Sequence, residues 1–137
     1  MGRWSLIVLL VIVAASAVWL RTHLRSVQLK QERAVFYQQT LRSYTAVLSQ
    51  GATRKQVEDE LRSRGKSYQR VSGFEPANAF ADLVKIGTEP APWYCGKNGI
   101  YVKFAFDAAD PRLDQTSQLD SDILRSIAVT PWLQDCL

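Results

Sequence analysis

The segment from Trp4 to Leu20, WSLIVLLVIVAASAVWL, constrains the chain more than any other, because its 17 residues carry no charge and no proline. As a helix it reaches about 25 Å, the short end of what crosses a bilayer. Trp4 and Trp19 stand near its two ends, where amphipathic indoles favour the headgroup layers. The expectation is an uncleaved membrane anchor over residues 1–20. The competing reading is a cleaved signal peptide, with Met1 to Arg3 as its charged end, Leu6 to Val13 as its apolar core and Ala15-Ser16-Ala17 as the cleavage site. Both readings require export machinery. No cysteine closes the apolar run, so a lipoprotein-type acylation site is absent.

Beyond the anchor about 117 residues remain, enough for one small domain with a modest core. Its charge is graded. Residues 21–70 hold 11 Lys and Arg against 4 Asp and Glu, a net of +7, and residues 71–137 hold 5 against 9, a net of −4. A basic stretch beside an apolar span points to the lipid bilayer and its anionic headgroups, with Arg21, Arg25, Lys30 and Arg33 at the membrane surface, rather than to nucleic acid. The plain alternative is a solvated helical face. Because these four charges follow the span while only Arg3 and the amino terminus precede it, a positive-inside count puts the domain in the cytoplasm.

A seven-residue stripe runs through Leu20, Val27, Ala34, Leu41 and Leu48, joined by Tyr37 and Tyr44 in its second half but by His23 and Lys30 in its first. This predicts a basic helical stalk over 21–33 and an α+β domain over 34–137. Two good heptads leave a homodimer through the stalk open. Gly51 is expected to end the first helix, and Thr53 with Gln56 forms a capping box that starts a second. Val57 and Leu61 are its apolar stripe and Gly65 closes it, with a two-residue turn between the helices. The period then changes to two. SYQRVSG, FADLVKIG, GIYVKFAFD and DILRSIAVT read as strands, with Ile100, Val102, Phe104 and Phe106 on one face. Short polar loops and no crossover helix imply a three- to four-stranded antiparallel sheet with two helices packed on one face.

The run Gly51-x-Thr53-Arg54-x-x-Val57-x-x-x-Leu61-x-x-x-Gly65, followed by strands and a C-terminal cysteine, resembles the opening of the SmpA/OmlA, or BamE-like, small bacterial envelope lipoproteins. The resemblance implies two helices on a short antiparallel sheet; the lipid-bearing cysteine of those lipoproteins has no counterpart here. The series DLVKIG, PWYC, IYVKF and the terminal Cys136-Leu137 also looks like small single-pass bacterial membrane proteins of unassigned role.

Cys95 can be a nucleophile, a metal ligand or half of a disulfide to Cys136. The lone histidine, His23, belongs to the stalk, so neither a Ser-His-Asp nor a Cys-His site assembles in the domain, and a structural zinc site lacks its four ligands. Lys97 is the one neighbour that would lower the Cys95 pKa, and no C-x-x-C is present. A Cys95–Cys136 disulfide is favoured if the domain is exported, which opposes the charge count on topology. The acids Asp107, Asp110, Asp114, Asp120 and Asp122 lack calcium-loop spacing and read as a solvated loop. Around Cys95, the aromatics Trp93, Tyr94 and Trp132 are either anchors for a partner or a lid that packs over the disulfide and closes the core. The function implied is a non-enzymatic, membrane-anchored envelope protein with an extracytoplasmic interaction domain in a bacterial inner membrane, needing no cofactor or metal. The alternatives are an envelope enzyme using loop carboxylates with Arg125 or Lys103, and a cytoplasm-facing basic scaffold.

Overall fold

The computed structural model describes residues 3–74, 79–109 and 119–137. One long helix, α1 (Arg3–Thr45), is followed by a short one, α2 (Arg54–Ser63). Four strands follow: β1 (Gln69–Phe74), β2 (Ala79–Thr88), β3 (Cys95–Asp107) and β4 (Ile123–Cys136). They pair in chain order, each antiparallel to the next. The fold is α+β, with a curled four-stranded sheet. The chain forms two compact units, one ending at Phe36 and the other spanning Tyr37–Leu137.

In the first unit, α1 is apolar all round from Ile7 to Leu20. Ten large apolar side chains between Ile7 and Leu20 are each more than half exposed, and the helix is long and apolar enough to cross a membrane. The hydroxyls of Ser16 and Thr22 donate to the carbonyls of Ile12 and Trp19, both at 2.8 Å, so neither donor needs water. Trp19 stacks on His23 with ring centroids 5.5 Å apart. The Trp4 side chain lies outside the described residues. Arg21, Arg25 and Lys30 are exposed. Arg21 and Arg25 lie one above the other at i, i+4, whereas Lys30 falls on another side of the helix, so the basic residues ring it rather than stripe it.

The second unit is built on a shared apolar face. Ile100, Val102, Phe104 and Phe106 of β3 alternate as expected, and the register sets Val84 opposite Val102 and Phe80 opposite Phe106. Tyr44 from the end of α1, Leu48 from the connector after it, Val57 and Leu61 from α2, and Leu124 from β4 complete the core. The Tyr44 ring meets Phe104 edge-on at 5.2 Å and carries the Arg64 guanidinium 4.7 Å above it. The opposite face is buried too, at Ala81, Leu83, Tyr101 and Ala105.

Both helix ends of α2 follow from its sequence. Thr53 accepts from the Gln56 N–H, the Gln56 side chain accepts from the Thr53 N–H, and the capping box is complete. At the other end Gly65 takes φ +64°, its N–H donates to the Arg62 carbonyl, and the Lys66 N–H donates to the Leu61 carbonyl. These two bonds are a Schellman motif, which needs a residue tolerant of positive φ.

Three boundaries differ from expectation. Helix α1 ends at Thr45 rather than running to Gly51, so the connector is longer than two residues. The connector is held instead by β4: the Gly51 N–H donates to the Leu124 carbonyl and the Leu124 N–H to the Ala52 carbonyl. Gly96 to Gly99 are strand rather than turn, because β3 begins at Cys95. Gly99 is needed there, since a Cβ would collide with the Tyr101 ring. Strand β4 runs past Thr130 through Pro131, which sits opposite Ile100 on an edge strand, where a proline costs no ladder bond when its nitrogen faces away from its partner.

Because Tyr44 fastens α1 to the sheet, Tyr44→Ala is expected to cost about 3–5 kcal/mol, as for other large-to-small aromatic truncations in a core. Urea unfolding of the full chain in detergent, followed by tryptophan fluorescence, measures it. A loss below about 1 kcal/mol would show that α1 is not docked through this ring.

Candidate functional site

Two places in the second unit concentrate chemistry. The first is the corner between β2 and β3. The Cys95 N–H donates to the Pro92 carbonyl at 2.9 Å, closing a four-residue turn whose central residues are Trp93 and Tyr94. Pro92 and Pro90 restrict the approach to this turn, and the Glu89 N–H donates to the Asn98 carbonyl at its base. Glu89 also accepts from the Tyr37 hydroxyl at 3.0 Å, and the Tyr37 ring lies against Gly87 where a Cβ would not fit.

The cysteines are brought together by register. Cys95 and Cys136 are opposite residues of β3 and β4, and their sulfurs are at bonding distance. The Leu137 N–H donates to the Tyr94 carbonyl at 2.9 Å, so the chain end is tied to the turn itself. Closing this loop stabilises by about 4 kcal/mol in the chain-entropy model.

The aromatics divide. Trp93 is 90 % exposed, which excludes it from closing the core or covering the disulfide. Its place at the tip of a two-residue turn is the reason: the turn reverses the chain there and leaves no surface to fold back on. Its ring meets Tyr94 edge-on at 5.7 Å, and Tyr94 is itself partly exposed. Trp132 is half-buried on β4, opposite Gly99, with its ring 5.7 Å from Tyr101.

The second place was not anticipated. Arg54, at the first turn of α2, is fully buried together with Glu58, Asp82 and Asp122. Its guanidinium donates through Nη2 and Nε to Asp82, the latter at 3.3 Å, and stands 3.5 Å from Glu58 and 3.6 Å from Asp122. It also lies 4.8 Å above the Phe106 ring. Glu58 accepts from Arg70 through Nε at 3.0 Å and Nη2 at 2.7 Å, from the Tyr68 hydroxyl at 2.7 Å and from Arg62 at 3.3 Å. Asp122 accepts the N–H groups of Ala109 and Leu119, closing the base of the loop between β3 and β4. The first N–H groups of α2 are taken as well, Arg54 donating to the Asp122 carbonyl and Lys55 to that of Asp120. Burial, with the Glu58 charge adding to it, pushes the Asp82 carboxyl up from its ordinary value of 3.8 against the bond and charge of Arg54, which pull it down. A cluster this enclosed holds the unit together and leaves no room for a substrate. Its signal in the sequence is spacing: Arg54 and Glu58 fall on the stripe of Val57 and Leu61 at i, i+3, i+4 and i+7.

The other predicted acids are dispersed. Asp107 pairs with Arg125 at 3.2 Å on the surface, Asp120 reaches Arg70 at 3.8 Å, and Asp110 and Asp114 lie outside the described residues. Lys97 pairs with Asp135 at 3.1 Å. Among the described residues no three His, Cys, Asp or Glu side chains could hold a metal ion. Comparison of the chain with family models, characterised proteins and solved structures gives no match.

Removing Arg54 strands the Asp82 carboxylate in the interior, whereas Glu58 keeps Arg70 and Tyr68 and Asp122 keeps two backbone N–H groups. Arg54→Met is expected to cost about 3–5 kcal/mol, and Arg54→Met with Asp82→Leu to recover a large part of it, as buried pairs do when both partners become apolar. The deficit of Arg54→Met has a definite pH sign. A carboxyl whose folded pKa exceeds its unfolded one loses stability as pH rises from the unfolded value through the folded one. Without Arg54 the Asp82 carboxyl rises further, so the deficit is smallest near about pH 4 and widens toward neutral pH. Urea titrations across this range check it, and a pH-independent deficit contradicts it.

Proposed function

We propose that this is a single-pass cell-envelope protein whose Tyr37–Leu137 unit works outside the cytoplasm, binds another envelope protein and catalyses no reaction. The observation that carries the binding role is Trp93, 90 % exposed on a turn fixed by two prolines and by the cysteine pair beside it. A tryptophan presented on a rigid turn loses little conformational entropy on contact, which is why such residues dominate interface energetics. Tyr94 beside it widens the anchor.

The extracytoplasmic location rests on the cysteines, because structural disulfides persist in oxidising compartments and not in the cytosol. An envelope setting is also what the resemblance of the Gly51 to Gly65 stretch implies. The exposed Arg21, Arg25 and Lys30 favour a second reading, a cytoplasm-facing basic scaffold. A reporter fused after Leu137 and active only outside the cytoplasm is the expected outcome; activity only inside establishes the scaffold reading.

Two measurements test the site. Native protein taken from cells should show no thiol to an alkylating reagent until it is reduced, and two afterwards. A photo-crosslinker at Tyr94 should capture one envelope protein, with capture falling about tenfold or more on Trp93→Ala while the unfolding midpoint stays unchanged. Equal capture with and without Trp93 would remove the aromatic corner from the account.

A further inference from the structure

We propose that the outer edge of β4 pairs with the same edge of a second copy of this chain, antiparallel about Ala128, continuing the sheet from four strands to eight. Strand β4 ends the sheet, and among the described residues its outer side is used at its start, where Gly51 and Ala52 bond to Leu124. Among the described residues no backbone group meets Ser126 to Pro131 from that side.

Which residues face outward follows from two observations. Leu124 turns both its backbone groups outward, and the register then slips at Arg125, with Ser126 opposite Ala105 but Leu124 opposite Phe106. A slip of one residue switches the outward set from even to odd numbers. Pro131, in an unbroken stretch of ladder opposite Ile100, agrees, because its nitrogen has no hydrogen to give and belongs on the outer side. Ile127 and Val129 therefore present their N–H and C=O groups to the open edge.

An unpaired edge is a template for another strand unless charge, shortness or a bend blunts it. The opposite edge, β1, is six residues long and carries Arg70. Strand β4 is 14 residues long, and Ser126 to Gln134 contain no charge. The slip at Arg125 and Pro131 confine pairing to the window between them. That window, Ser126-Ile127-Ala128-Val129-Thr130, reads the same chemically in both directions: hydroxyl, β-branched, alanine, β-branched, hydroxyl. Antiparallel self-pairing sets Ser126 of one copy opposite Thr130 of the other, Ile127 opposite Val129, and Ala128 opposite its counterpart on the two-fold axis. The Ser126–Thr130 pair is a favourable one, Ala128 with its counterpart is neutral and small enough for close approach, and Ile127 with Val129 is the pair that exchanges hydrogen bonds. The contact is isologous, so two copies saturate it.

The test uses the full chain in detergent micelles and again in nanodiscs. Ala128→Cys, with Cys95 and Cys136 retained, should give a reducible covalent dimer on mild oxidation, because opposite Cβ atoms lie about 5 Å apart across such a pair. Gln134→Cys, on the same strand outside the window, should not. Ser126→Lys with Thr130→Lys sets two pairs of like charges across the axis, whereas Ser126→Lys with Thr130→Glu sets two opposite pairs at the same positions. Both should keep the wild-type circular dichroism, and the dimer constant should differ by about tenfold or more between them. If the thiol introduced by Ala128→Cys alkylates yet gives no covalent dimer, the proposal is overturned. An equal dimer constant for the two charge variants also overturns it, because that places any self-association elsewhere. A window that cross-links only to a different protein has the same consequence.

Discussion

A guanidinium with no access to water must find its partners inside, and Arg54 finds them on three separate elements. It bonds Asp82 on β2, stands against Glu58 on its own helix, and faces Asp122 at the entry to β4. Glu58 then reaches Tyr68 and Arg70 at the start of the sheet, and Asp122 closes the base of the β3–β4 loop. Apolar side chains of the same size would pack as tightly and avoid the desolvation cost. What they would not supply is direction. A bidentate arginine–carboxylate pair holds only in one geometry, so α2 is fixed along its axis and about it relative to β2. The capping box and the connector that pairs with Leu124 put Arg54 at the one point where that geometry is met.

The cysteines do for the far end of the sheet what Arg54 does for the near end. Strand β4 is long, lies at an edge and is crossed by a proline, so its last residues depend on β3 alone. A covalent link between the opposite residues Cys95 and Cys136, with the Leu137 N–H bonded to Tyr94, stops that end from fraying. The same link steadies the turn that carries Trp93. A stiff turn with an exposed indole is then a consequence of how the sheet is ended.

How much of this was legible in the sequence depends on whether the signal was local. The long apolar N-terminal helix, the Thr53–Gln56 capping box, Gly65 and the alternation of β3 are written in adjacent residues, and the structure has each of them. The cysteine pair was legible because only two cysteines exist. Two things were hidden. Strand β4 continues through Pro131 because it is an edge, which is a property of sheet order rather than of the residues around the proline. The fate of Trp93 was hidden because an aromatic before a cysteine fits a lid as well as a turn tip, and only the Pro92 to Cys95 bond distinguishes them. The Arg54 cluster was in view as spacing but was outweighed by the general rule that charged residues are exposed.

The charge gradient also changes meaning once the chain is folded. Much of the positive excess between Arg54 and Arg70 is matched by Asp82, Asp120 and Asp122, which the sequence assigns to the acidic half, and by the acids of α2. The alternating blocks of charge in the sequence are therefore largely a single tertiary network cut in two by chain order. Outside that network, residues 21–45 of α1 hold five basic residues against one acidic. Arg21, Arg25 and Lys30 are exposed on more than one side, just beyond an apolar span. If the apolar span crosses a bilayer, charges that ring the helix just beyond it attract anionic headgroups whichever way the helix rotates, at about 1 kcal/mol each. On the proposed single-pass reading they seat the helix at a membrane surface and favour the cytoplasmic one, whereas the cysteine pair concerns the compartment itself. The charges argue for the cytoplasmic side and the cysteine pair for the other, and the two arguments rest on independent features of the chain.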